Sequence, residues 1–87
     1  MDLEITFGKV LRQLRKKAGL TQEQLGFEAG LERNYISMLE LGQRHPSLAT
    51  IFKLSPPLNV TPSHIVALME TTISSESADL TTAPEDK

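Results

Sequence analysis

Residues 21–42 read Thr21-Gln22-Glu23-Gln24-Leu25-Gly26-Phe27-Glu28-Ala29-Gly30-Leu31-Glu32-Arg33-Asn34-Tyr35-Ile36-Ser37-Met38-Leu39-Glu40-Leu41-Gly42, and two short helices parted by a glycine account for them. Thr21 with Gln24 forms a capping box: the hydroxyl accepts from the backbone N–H of residue 24 while the Gln24 amide reaches back. The helix it opens must be short, because Gly30 interrupts it, and its inward contacts are Leu25 and Ala29. A further helix opens at Leu31 or Glu32 and runs through Glu40, with Ile36 and Leu39 inward and Gly42 closing it. Two such helices cross at ~90–120° about a tight turn only if the first is small where the second packs on it. Gly26 supplies the small residue and Gly30 the turn. Arg33, Asn34, Tyr35, Ser37 and Met38 are left toward the N-terminus and outer faces of the second helix.

On the N-terminal side, Phe7, Val10, Leu11, Leu14 and Ala18 form one stripe at helical spacing, which predicts an amphipathic helix over Thr6–Ala18 with Gly19 as its C-terminal cap. On the C-terminal side, Pro46-Ser47 announces a fourth helix with Leu48, Ile51, Phe52 and Leu54 on its packed face. Pro56 and Pro57 are expected to end it, since each lacks an N–H and clashes with the carbonyl four residues back. Thr61-Pro62 opens a fifth, carrying Ile65, Val66, Leu68 and Met69. Beyond Glu70 the chain is rich in Thr, Ser, Ala and acids, too polar to offset the entropy of ordering. The fold class is therefore all-α, a compact five-helix domain over residues 1–70, followed by an acidic flexible tail over residues 71–87.

A chain of 87 residues supports one modest core. The absence of cysteine rules out disulfides, thiolate metal sites and cysteine nucleophiles. No apolar run is long enough to span a membrane and the N-terminus opens acidic, so a cytoplasmic protein without membrane attachment is expected. The formal net charge of −2 is unevenly placed: residues 1–44 carry +1, residues 45–70 are neutral and residues 71–87 carry −3. A near-neutral body permits nucleic-acid binding through a local basic patch. His45 and His64 stand alone, Ser37 has no histidine partner at a defined distance, and Gly8, Gly19 and Gly26 make no phosphate-cradling loop. An enzyme, a metal and a cofactor are not expected.

The spacing of Phe7-Gly8, Leu14-Arg15, Gly19-Leu20-Thr21-Gln22, Gln24-Leu25, Gly30, Ile36-Ser37, Glu40, Gly42, Pro46-Ser47 and Leu58-Asn59-Val60 resembles the phage-repressor-like helix-turn-helix family, the XRE or Cro-repressor superfamily. Within it, Arg33-Asn34-Tyr35-Ile36-Ser37 looks most like the controller proteins of restriction–modification systems, although ordinary regulators carry similar runs. The resemblance implies a sequence-specific regulator of transcription bound to double-stranded DNA. It implies base reading by Glu32, Arg33, Asn34, Ser37 and Met38, and backbone contacts by Gln22, Tyr35, Gln43 and Arg44. It also implies a structural ion pair between Arg15 and Glu40. The chemistry agrees: Arg33 can fork onto guanine O6 and N7, and Asn34 onto adenine N6 and N7. The chain departs from the family at Leu41, where a polar or basic residue is usual, at Gly26, where alanine is usual, and at Pro56-Pro57.

A palindromic operator and a homodimer are expected, with the interface drawn from Leu58, Val60, Ile65, Val66 and Met69, the apolar residues furthest in sequence from the reading helix. The rival reading is a protein-interaction module, an antitoxin or adaptor that holds a protein partner, through the acidic tail for instance.

Overall fold

The computed structural model describes residues 2–80, with side chains through residue 75, and these form five helices and no strand. They are α1 (Leu3–Lys17), α2 (Gln22–Ala29), α3 (Arg33–Glu40), α4 (Leu48–Leu58) and α5 (Pro62–Leu80). Helix α1 begins at Leu3 rather than Thr6 because Asp2 caps it, Oδ1 accepting from the Ile5 N–H at 3.2 Å. The capping box at α2 is present in both halves, with Gln24 N–H to Thr21 Oγ1 at 3.0 Å and Thr21 N–H to Gln24 Oε1 at 2.8 Å.

Four of the helices end alike. At Gly19, Gly30, Gly42 and Asn59 the backbone turns left-handed, and the next N–H reaches back to a carbonyl in the last turn, as Leu20 does to Arg15 at 3.1 Å and Gln43 to Met38 at 2.9 Å. This Schellman arrangement satisfies carbonyls that the helix leaves open, and it needs a residue that tolerates positive φ.

Three sequence expectations fail here. Leu48 and Phe52, expected on the packed face of α4, are 73% and 61% exposed. Pro56 and Pro57 do not stop α4 but lie inside its final turn. The carbonyls they leave without partners belong to Phe52 and Lys53, both exposed, so water can take them. On the buried side, the Ser55 hydroxyl donates to the Ile51 carbonyl at 2.7 Å. Likewise α5 does not stop at Glu70, so residues 71–80 are helix rather than flexible tail. The Thr71 and Thr72 hydroxyls donate to the carbonyls of Ala67 and Leu68 at 3.0 and 2.9 Å, which pairs polar groups that composition alone counts against order. Once the first turns are docked, each added residue gains a hydrogen bond without a new nucleation cost. The remainder of the expected tail, residues 81–87, lies outside the described residues.

The core takes Phe7, Val10, Leu11 and Leu14 from α1, Leu25 and Ala29 from α2, Ile36 and Leu39 from α3, Ile51, Leu54 and Leu58 from α4, and Ile65 from α5. Leu58 and Ile65 are thus corrected as interface residues: they are 4% and 1% exposed within a single chain. On α5 Val66 is half exposed, while Met69, and Val60 in the segment before the helix, are partly buried against the core.

Two glycines set how closely α3 is approached. A β carbon on Gly8 of α1 would lie 2.6 Å from the carbonyl oxygens of both Leu39 and Glu40. One on Gly26 of α2 would lie 2.6 Å from the Leu31 carbonyl oxygen, in the turn leading into α3. Gly26 is small for the packing reason read from the sequence; Gly8 has the same role at the other end of α3, which the sequence did not reveal.

Candidate nucleic-acid interface

Helix α3 is held from beneath by apolar and ionic contacts. Ile36 and Leu39 are fully buried, each such side chain contributing ~1.5–3 kcal/mol on burial. Beside them the Arg15 guanidinium grips the Glu40 carboxylate, Nε to Oε2 at 2.6 Å and Nη2 to Oε1 at 3.0 Å. Its remaining nitrogen, Nη1, donates to the Leu20 carbonyl at 2.9 Å, so one side chain joins the end of α1, the α1–α2 turn and the end of α3. The Glu40 hydrogen bonds hold Arg15 in its charged form, raising its pKa further above the usual arginine value.

Gln22 enters the same cluster, its Nε2 donating to Glu40 Oε1 at 3.1 Å. An amide nitrogen carries two hydrogens. One engaged inward leaves the other, and the amide oxygen, for an external partner. Tyr35 is half-buried and its hydroxyl lies 3.3 Å from Thr50 Oγ1, within the Ser47–Thr50 cap of α4. The tyrosine therefore couples α3 to α4.

The outward side of α3 carries the residues singled out as base readers. Glu32, the N-cap, and Arg33 and Asn34 are exposed, and Ser37 and Met38 are partly exposed. The Glu32 side chain makes no capping hydrogen bond, so the first N–H groups of α3 have no carboxylate over them. Arg33 shares a shallow surface hollow with Thr21, Gln22 and Glu23 at the start of α2. Two helix N-termini are thus brought together on one face, the polarity that favours an anion.

Gln43 and Arg44 are exposed in the segment after Gly42, which is seated on the first turn of α1. A β carbon on Gly42 would meet Ile5 Cγ1 at 2.9 Å, and His45 Nε2 lies 2.6 Å from Glu4 Oε2. The His45–Glu4 pairing was not visible in the sequence, where both are isolated polar residues with no spacing rule to join them. Among the described residues no group of three or more His, Cys, Asp or Glu gathers as a metal site, and no helix is long and apolar enough to cross a membrane.

A helix-turn-helix family model matches residues 11–65 of the chain. Control protein C.BamHI of Bacillus amyloliquefaciens is 41% identical over 66 residues, which cover 75% of this chain and 82% of that protein. Control protein C.MunI of Mycoplasma sp is 39% identical over 70 residues, covering 79% and 95% respectively. Among solved structures, the restriction-modification controller protein C.AhdI from Aeromonas hydrophila is similar with a TM-score of 0.69 and 44% identity, over 71% of this chain and 94% of that one.

Proposed function

The chain belongs to the helix-turn-helix family of XRE, or Cro-repressor, type, and from that premise we propose that it binds a palindromic DNA operator as a homodimer, with α3 of each subunit in the major groove. It is a transcriptional regulator and not an enzyme. The observation that carries the proposal is the division of α3 into two sides. One is anchored by Ile36, Leu39 and the Arg15–Glu40 pair, and the other offers Glu32, Arg33, Asn34, Ser37 and Met38. Arg33 and Asn34 read guanine and adenine edges, while Gln22, Gln43 and Arg44 contact phosphates on either side of the reading helix.

The subunits meet through Val60, Val66 and Met69, the members of the apolar set that retain exposed surface. Similarity to control proteins supports a role in controlling restriction–modification genes, in the cytoplasm where the DNA lies. Selection of bound sites from random duplexes tests the operator-binding proposal. A recovered palindrome with half-sites spaced by one helical turn supports it; binding that shows neither sequence preference nor salt dependence sinks it and favours the protein-interaction module.

A further inference from the structure

Leu41 is 63% exposed, an unusual position for a large apolar side chain at the end of a helix whose other outward residues are mostly polar. Its backbone is still right-handed helical, with φ −84° and ψ −3°, and only at Gly42 does the chain turn away. Side chains therefore continue to advance by roughly 100° per residue through position 41. With Ile36 and Leu39 defining the buried direction, Asn34, Met38 and Leu41 fall on the opposite side, and Met38 and Leu41 are neighbours three residues apart. This side of α3 is polar at its N-terminal end, with Asn34, and apolar at its C-terminal end.

We infer that Met38 and Leu41 form an apolar reading surface that recognises the 5-methyl groups of thymine in the major groove. The inference rests on the operator-binding reading above and adds the chemical feature that the C-terminal half of α3 selects. The occupant follows from continuity: the apolar pair extends the same outward side that carries Asn34, and the thymine methyl is the apolar group that a base pair presents in that groove. Hydrogen-bonding side chains at the start of the helix and methyl-seeking ones at its end would read different base pairs of one half-site.

The test uses the full chain and the site recovered by selection from random duplexes. Each thymine is replaced singly by uracil, which removes the methyl and leaves every hydrogen-bonding group in place. Binding is followed by fluorescence anisotropy for the wild type, Met38→Ala and Leu41→Ala. One or more replacements should weaken the wild type by about fourfold, the worth of one methyl removed from water. At least one alanine variant should lose that penalty while still binding the site. Both variants remove partly or mostly exposed side chains, and unchanged melting curves confirm that they fold. The inference is overturned if no uracil replacement weakens the wild type, or if both variants keep the full penalty. Failure to recover any preferred site would instead defeat the operator-binding reading itself.

Discussion

Arg15 and Glu40, 25 residues apart in the chain, meet through two parallel hydrogen bonds, with their side chains only 12% and 4% exposed. Removing the guanidinium strands a carboxylate in a place water scarcely reaches, a loss of ~3–5 kcal/mol when burial is complete. Gln22 still donates to one oxygen, so the lower end applies to Arg15→Ala. Thermal unfolding should show Tm falling by more than ~10 °C; an unchanged Tm would refute the structural role. Because the folded pKa of Arg15 is raised, its stabilisation is complete below the unfolded value and is lost only as pH rises through the folded one, at strongly alkaline pH. Deprotonation of Arg15 should therefore add no pH dependence near neutrality.

Gly8→Ala sets two effects against each other. Alanine gains about 1 kcal/mol of helix propensity. Its β carbon would stand 2.6 Å from two backbone oxygens of α3, which cannot rotate aside as a side chain could. Overpacking of ~1–3 kcal/mol or more should win. The variant is expected to melt lower than wild type and to bind its operator more weakly, as calorimetry and anisotropy would show. Gly19→Ala serves as contrast: its left-handed φ of +75° is strained for alanine, but no atom lies within 4 Å, so α3 should stay in place.

Ile65→Glu and Val66→Glu, adjacent substitutions, should have different consequences. Ile65 is 1% exposed and a carboxylate there would have no partner, so circular dichroism should report loss of the fold. Val66 is 50% exposed, and Val66→Glu should keep the helical spectrum while sedimentation reports monomer. A folded, intact Val66→Glu dimer would move the interface elsewhere.

If the proposed base contact of Arg33 is made, Arg33→Ala should lose ~1–3 kcal/mol on the selected site and relax the choice at one base position. Arg44→Ala should weaken specific and random duplexes alike and lower the salt slope by roughly one unit. Titrations at several salt concentrations on both duplexes separate the two. Equal losses on specific and random DNA for Arg33→Ala would reassign that residue to the backbone.

What the sequence made legible were features decided within a few residues. The Thr21–Gln24 box and the glycines at 19, 30 and 42 each fix a local backbone geometry, and the helix boundaries follow them closely. Features that depend on distant surroundings were not legible. Whether Pro56-Pro57 breaks α4 turns on whether the stranded carbonyls face water. Whether Leu58 and Ile65 are available to a partner turns on which way α5 docks, since both carry side chains equally suited to a core or an interface. Residues 71–80 inherit their helix from the docked turns before them, which composition does not register. At the site, the family pattern pointed to the outward residues of α3, whereas the Tyr35–Thr50 and Glu4–His45 contacts required the fold itself.

The two glycine contacts on α3 bear on how such a protein could change over time. Gly8 abuts the last carbonyls of that helix and Gly26 the turn before its first residue, so the helix is located at both ends by main chain against main chain. Main-chain contacts are indifferent to what the outward side chains are. Positions 33, 34, 37, 38 and 41 can therefore be re-lettered while the helix keeps its seat, so that, on the proposed reading, a lineage or a designer could move the protein to a new operator by substitutions at partly or fully exposed positions alone.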